Sequence, residues 1–173
     1  SEYKKFGIGG WLCKFVPLNA FSIKTIKQIH LDMTVEFYFN IVTAPQGIPV
    51  SNRIFNIFGD TGASTLNIRA VNSDVTATKG IVTVTPRNAA PVTNVALISY
   101  FTWHHLAIVR HGIYNFDIYI DGINVYSFTS TYSNAENQLA PILYWAGALS
   151  TYGSEGYAGI AFDEIRVTGD VAR

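Results

Sequence analysis

Acidic residues are the first candidates for chemistry, because glycoside hydrolysis uses two carboxyl groups held about 5 to 5.5 Å apart in retaining enzymes and farther apart in inverting ones. Asp163 and Glu164 form an acidic pair within a predicted strand. Neighbouring strand residues point to opposite faces of a sheet, so these two carboxylates cannot act together on one glycosidic bond. We expect one of them to bond to backbone or to Arg166, and we predict no hydrolase activity.

The histidines and the cysteine are the next candidates, as metal ligands or nucleophiles: His30, His104, His105, His111 and Cys13. On one strand His105 and His111 share a face, while His104 lies on the other face with Leu106. Six residues of extended chain separate His105 from His111, which is too far for both to bind one ion. We therefore predict no metal site built from histidine, and we interpret Cys13 as a small buried apolar residue.

Two polar, tyrosine-bearing segments, STYSNAEN and STYGSEGY, are the remaining candidates for a binding site. Aromatic rings stack on the apolar faces of sugars, and amide or carboxylate groups bind sugar hydroxyls. The predicted ligand-binding residues are Tyr132, Asn134, Tyr152, Glu155 and Tyr157. Because subunit contacts also use exposed tyrosines, a protein interface and ordinary packing stay open as alternatives.

Charge and hydrophobicity limit the partners. The 173 residues include 12 Lys plus Arg and 12 Asp plus Glu, so the formal net charge is zero. A neutral chain is not expected to bind nucleic acid or an anionic membrane surface. No apolar run approaches the roughly 20 residues that a transmembrane helix needs, and the first residues show no secretory signal.

Strand patterns must position any such site. From Met33 to Ile41 apolar residues alternate with polar ones, the pattern of a half-buried antiparallel strand. Asp121 and Gly122 separate two alternating runs, which predicts a tight hairpin whose turn residues adopt positive φ. The segment FSIKTIKQIHL has a helical option, but its β-branched residues favour a strand.

Similar alternation predicts about ten strands in all. Besides Met33 to Ile41 they are 53–58, 65–71, 80–85, 95–100, 103–110, 115–120, 124–129, 142–146 and 159–167. The predicted core residues are Val35, Phe37, Phe39, Trp103, Leu106 or Ala107, Ile118, Ile120 and Ile165. The fold class is therefore all-β, an antiparallel sandwich of two sheets with jelly-roll topology. Residues 1–173 are predicted to form a single domain, with residues 1–14 as an extended N-terminal arm.

Four blocks in the sequence resemble a known family. WHHLAIVRHG, FDIYIDGINV, LYWAGA and GIAFDEIRV occur in the order seen in laminin-G-like, concanavalin A-like jelly-roll domains, and Thr34 to Tyr38 match an early strand of that family. The matching residues are Trp103, Arg110, Tyr119, Asp121, Gly122, Asp163, Glu164, Ile165 and Arg166. The resemblance covers roughly residues 30 to 170, and the ending IRVTGDVAR is similar to the close of such domains in bacteriophage virion and tail proteins.

The resemblance implies a binding function without catalysis. We expect a non-catalytic, lectin-like carbohydrate-binding or adhesion module that recognises a cell-surface glycan as part of a virion, and we expect it not to be an enzyme. The alternative is a structural or assembly domain that contacts other virion subunits without binding sugar. The expected location is the virion or the extracellular space. We expect no membrane insertion, and an oligomeric state stays open.

Calcium is the one cofactor that the resemblance suggests, since similar sandwiches bind Ca²⁺ near a rim through carboxylates and carbonyl oxygens. The loop acids that could serve, Asp60, Asp74 and Glu155, are scattered singly along the sequence. We therefore expect no cofactor, and calcium stays open as an alternative.

Overall fold

The computed structural model describes residues 11–13, 21–24, 32–42, 51–58, 64–72, 78–86, 90–112, 114–130, 142–145 and 159–169. Within these residues all regular structure is β-strand. The strands are β1 (Trp11–Cys13), β2 (Phe21–Lys24), β3 (Met33–Ile41), β4 (Ser51–Phe58), β5 (Ser64–Asn72), β6 (Lys79–Pro86), β7 (Val92–Ser99), β8 (His104–His111), β9 (Asn115–Ile120), β10 (Ile123–Thr129), β11 (Ile142–Trp145) and β12 (Ile160–Gly169). No helix in this part of the chain is long and apolar enough to cross a membrane.

The strands form two six-stranded antiparallel sheets that pack as a sandwich. The first sheet has the order β1-β12-β3-β8-β9-β10, and the second has the order β2-β11-β4-β5-β6-β7. The predicted all-β sandwich is confirmed, and β3 has the bounds that alternation predicts. The start of the segment with a helical option forms β2, as the β-branched residues indicate.

Alternating residues of both sheets build one core. In β3 the side chains of Val35, Phe37 and Phe39 are fully buried, while Glu36 and Tyr38 between them are partly exposed. The Phe37 ring lies 5.5 Å from the ring of Phe55 on the opposite sheet, measured between centroids. It also lies 6.3 Å from Phe39 and 5.7 Å from Phe162 in its own sheet. Phe37 therefore joins the two sheets.

Two predicted core residues are corrected. Trp103 is only partly buried, because it precedes β8 in the connection from β7 and does not belong to the alternating strand. Ile165 is also partly buried and packs against the edge of the core. It lies where the pairing of β12 with β3 shifts register between Asp163 and Arg166, which interrupts alternation. The other predicted core residues are buried.

The predicted Asp-Gly hairpin joins β9 and β10. Asp121 has φ 51° and Gly122 has φ 80°, the left-handed conformation that this turn requires. The Asp121 carboxylate accepts a hydrogen bond from the His105 backbone N–H at 2.8 Å and contacts Nδ1 of His104 at 2.7 Å. His104 Nε2 lies 3.0 Å from the carbonyl oxygen of Ser99 at the end of β7. One carboxylate thus ties the hairpin to β8, and His104 extends the connection to the second sheet.

Truncation of the residue that joins the sheets should be costly. We expect Phe37→Ala to lower the free energy of unfolding by about 3 to 5 kcal/mol, because it removes a large buried ring and leaves a cavity. The exposed Thr93→Ala on β7 is the control and should change it by less than about 0.5 kcal/mol. Denaturant titration measures both, and a loss below about 1 kcal/mol for Phe37→Ala would contradict this account of the core.

The hairpin carboxylate should contribute measurably to stability. We expect Asp121→Ala to lower the free energy of unfolding by about 1 to 3 kcal/mol, because the His105 backbone N–H loses its acceptor and His104 loses its contact with the carboxylate. Asp121→Asn should cost less, since Asn tolerates positive φ and retains an acceptor oxygen. Exposed Asn124→Ala on the same hairpin is the control. Equal stabilities of Asp121→Ala and the unsubstituted protein would show that the contact is unimportant.

Candidate functional site

The site residues predicted from the sequence lie outside the described residues. They are Tyr132, Asn134, Tyr152, Glu155 and Tyr157, together with the loop acids Asp60 and Asp74 considered for calcium. Their assignment as a ligand site stays a prediction. Within the described ranges, no group of three or more His, Cys, Asp or Glu residues could hold a metal ion. The candidate surfaces described below are therefore the outer faces of the two sheets.

Charge is divided unequally between the two sheets. The strands of the second sheet contain Lys24, Arg53, Arg69 and Lys79 but no Asp or Glu. The strands of the first sheet contain Glu36, Asp117, Asp163 and Glu164 against Arg110 and Arg166. A chain with a formal charge of zero therefore carries a basic sheet and an acidic one.

The two arginines of the first sheet lie in different surroundings. Arg110 is only 2% exposed, and this burial lowers the pKa of its guanidinium, while the nearby charge of Asp32 opposes the shift. The side chain of Arg166 is 63% exposed. Arg166 is thus the arginine of these strands that a solute reaches, and the outer face of the first sheet stays acidic despite it.

On the second sheet an arginine and an amide occupy the outer face. In β5 the side chains of Leu66, Ile68 and Ala70 are fully buried in the core, so Asn67 and Arg69 between them face outward. Arg69 Nε donates a hydrogen bond to Asn67 Oδ1 at 2.9 Å. Asn67 is only 7% exposed, so this bond is sheltered from water and fixes the guanidinium.

The sheet register places a second arginine beside this pair. Arg53 of β4 is the direct partner of Arg69, which in turn pairs with Thr83 of β6. Like charges at directly opposed positions destabilise a sheet. The register thus places two arginine positions opposite each other in strands that contain no acidic residue.

A parallel row of polar residue types crosses the same sheet. By register, Ser22, Tyr144 and Asn56 are successive partners on β2, β11 and β4, and Asn67 and Thr85 continue the row on β5 and β6. Amides and hydroxyls of this kind bind sugar hydroxyl groups. The sequence alone does not group these residues, because they are far apart in the chain and only the pairing of strands brings their positions together.

The outer face of the first sheet has a different composition. His105 of β8 is the partner of Tyr38 on β3, and their ring centroids are 4.9 Å apart. The His105 Nε2 atom lies 3.7 Å from Oε2 of Glu36. These residues face outward because the alternate positions of both strands fill the core.

The irregular pairing of β12 brings charged groups to the same face. Glu164 has φ 48°, and the shifted register makes Arg166 the partner of Glu36. Arg166 Nη1 lies 3.7 Å from Oε1 of Glu36, and Nη2 lies 3.3 Å from Oε2 of Glu164. Asp163 Oδ1 accepts a hydrogen bond from the Glu164 backbone N–H at 2.9 Å. The predicted bonding of this acidic pair to backbone and Arg166 is confirmed.

Comparison with known proteins identifies the family of this chain. Residues 19–172 match the concanavalin A-like lectin/glucanases superfamily, described by the laminin G 3 family. The chain belongs to this superfamily, as its resemblance implies. No curated protein sequence matches the chain.

The solved structures that are similar to this chain include enzymes. An alginate lyase from Pseudomonas aeruginosa aligns over 84% of this chain and 68% of its own, with 14% identity and a TM-score of 0.63. An endo-β-1,4-glucuronan lyase from Trichoderma reesei aligns over 92% of this chain and 79% of its own, with 15% identity and a TM-score of 0.60. A galectin from Caenorhabditis elegans aligns over 88% and 92% of the two chains, with 10% identity and a TM-score of 0.57. These similarities establish a shared fold.

The similar structures contradict the function expected from the sequence. The expectation of a module that is not an enzyme, whether lectin-like or structural, is wrong by this comparison, because the proteins that share the fold are mostly polysaccharide lyases. The expected absence of carbohydrate cleavage rested on the lack of paired carboxylates, which hydrolysis needs. A lyase removes a proton next to a carboxylate, so the absence of such a pair does not exclude enzymatic activity.

Proposed function

We propose that the chain is a polysaccharide lyase that binds a uronate-containing polysaccharide on the outer face of the second sheet and cleaves it by β-elimination. The observation that carries this proposal is the pairing of Arg53 with Arg69 in strands that contain no acidic residue. The similarity to lyases of alginate and glucuronan supports the same substrate class.

Substrate binding follows from the chemistry of these groups. Each uronate unit carries a carboxylate, and a guanidinium binds a carboxylate through two parallel hydrogen bonds. The bond from Arg69 Nε to Asn67 Oδ1 fixes the guanidinium on the outer side of β5. Hydroxyl groups of the polymer contact Thr85 of β6, which is the partner of Asn67.

Arg69 serves the reaction by stabilising charge, and the base comes from outside the strands of the second sheet, which contain no Asp, Glu or His. In β-elimination a base removes the proton from the carbon that bears the carboxylate. The electron pair forms a double bond in the sugar ring, and the bond to the glycosidic oxygen breaks as that oxygen receives a proton. Negative charge develops on the carboxylate when the first proton leaves, and a fixed guanidinium stabilises that charge more than it stabilises the ground state.

The remaining expectations about location and partners rest on the resemblance alone. An extracellular or virion location, contact with other virion subunits and the tyrosine-bearing segments as a ligand site stay predictions. A polymer substrate outside the cell is consistent with an extracellular location.

The lyase proposal predicts a specific product. The protein should release unsaturated oligosaccharides from alginate or glucuronan, detected by the ultraviolet absorbance of the new double bond. Arg69→Ala should lower kcat/KM by roughly a hundredfold, as removal of one preorganised donor does in other enzymes. Arg69→Lys should recover only part of this loss, because an ammonium group does not bind a carboxylate through a planar fork.

Lys79→Ala is the matched control, since it removes an equal charge from the exposed start of β6. It should keep kcat/KM within about twofold of the unsubstituted protein, because an exposed charge is screened over roughly 10 Å. Absence of unsaturated product from every uronate polymer, or full activity in Arg69→Ala, would refute the proposal. Melting temperatures of all variants separate lost activity from lost folding.

A further inference from the structure

His104 is a buried histidine that joins the two sheets and takes no part in the proposed lyase site. It begins β8, is 9% exposed and packs beside the ring of Phe39, with centroids 5.7 Å apart. Its Nδ1 atom lies 2.7 Å from Oδ2 of Asp121, in the hairpin between β9 and β10. Its Nε2 atom lies 3.0 Å from the carbonyl oxygen of Ser99, where β7 ends. The ring thus connects the end of β7 to the first sheet.

Both of the atoms that the ring nitrogens contact are acceptors. A carboxylate and a carbonyl oxygen have no hydrogen to donate, so each contact needs an N–H on the ring. A neutral imidazole has one N–H, and the imidazolium has two. Both contacts are therefore hydrogen bonds only when His104 is doubly protonated.

The charged surroundings of His104 are simple. Among the described residues, the Asp121 carboxylate is the charged group that contacts the ring. The groups that face it from β3 and β7, the Phe39 ring and the Ser99 carbonyl, are uncharged. His105, the next residue, points to the opposite face of β8 and contacts Glu36. The charge on His104 is thus balanced by one carboxylate.

Loss of one proton from His104 breaks one particular contact. A hydrogen bond to a charged acceptor is stronger than a bond to a neutral one, so the neutral ring keeps its hydrogen on Nδ1, toward Asp121. Nε2 then presents a lone pair to the carbonyl oxygen of Ser99, and two acceptors repel each other. The hairpin therefore stays attached to His104, whereas the end of β7 is released.

The released carbonyl belongs to a peptide group that holds the connection from β7 to β8. The N–H of the same peptide group, that of Tyr100, donates to the carbonyl oxygen of Thr78 at 2.8 Å. The next N–H, that of Phe101, donates to the carbonyl oxygen of Ile41 at 2.9 Å. Phe101 has φ 62°, a left-handed conformation that is strained for a residue with a large side chain. Release of Ser99 lets this peptide group rotate and the strain at Phe101 relax.

We propose that His104, Asp121 and Ser99 form a proton-dependent clip between the two sheets. The clip is closed when the imidazole is charged and open at Ser99 when the imidazole is neutral. Histidine ordinarily changes charge between about pH 5 and about pH 8. The clip is therefore closed on the acidic side of this range and open on the alkaline side. It uses no residue of the proposed lyase site, so either proposal can fail without the other.

Amide hydrogen exchange, measured by NMR at about pH 5 and about pH 8, tests the clip when each rate is divided by the intrinsic rate at the same pH. We expect the protection of the Tyr100 and Phe101 amides to fall by at least about fivefold at the higher pH, because the lost hydrogen bond allows local opening. The buried Ile118, on a strand paired on both sides, is the internal control. Its protection should change by less than about twofold.

Two variants assign the effect to His104. His104→Gln has no titratable proton on this side chain, so the protection of Tyr100 relative to Ile118 should be equal at the two pH values. His111→Gln is the matched control, because His111 lies at the exposed end of the same strand and contacts the Asp117 carboxylate at 3.0 Å. It should keep the loss of protection that the unsubstituted protein shows.

The nitrogen-15 spectrum of the imidazole rings is a second measurement that needs no variant. The clip predicts hydrogen on both ring nitrogens of His104 at the lower pH and on Nδ1 alone at the higher pH. Equal protection of Tyr100 at the two pH values in the unsubstituted protein overturns the proposal, and so does a loss that persists in folded His104→Gln. If His104→Gln fails to fold, a neutral His104 with its hydrogen on Nε2 overturns it.

Discussion

Packing between the two sheets is the constraint on which the rest of the structure depends. Phe37 from the first sheet meets Phe55 from the second, and both are fully buried. Because inward positions on each strand are taken by such residues, the side chains between them point to the outer faces of the sheets. The sandwich thus presents two independent outer faces, and any function of the strands lies on one of them.

The two faces differ in charge although the chain is neutral as a whole. The second sheet has no carboxylate in its strands, and the first sheet has four acidic residues and an exposed arginine held by two of them. Net charge therefore gives little information about partners in a sandwich, because it sums over surfaces that point in opposite directions. We propose a uronate polymer as the ligand of the basic face.

Local patterns in the sequence predict much of the fold but little of the site. Alternation over Met33 to Ile41 and the Asp-Gly turn depend on neighbouring residues, and both are confirmed. The burial of Trp103 and Ile165 depends on a connection and a register shift, which alternation does not report. Arg53 and Arg69 become partners only through strand pairing, so spacing along the chain cannot identify them. The absence of paired carboxylates argues against hydrolysis alone, so it could not exclude the lyases that share this fold.

Amide NMR titration with an alginate oligomer tests the central claim most directly, because it shows which face the anionic substrate contacts. The account predicts chemical-shift changes concentrated at Asn67 to Arg69 on β5 and Thr83 to Thr85 on β6, with β3, β8 and β9 unchanged. Changes confined to Glu36, His105 and Tyr119, or no change at any backbone amide, would contradict it.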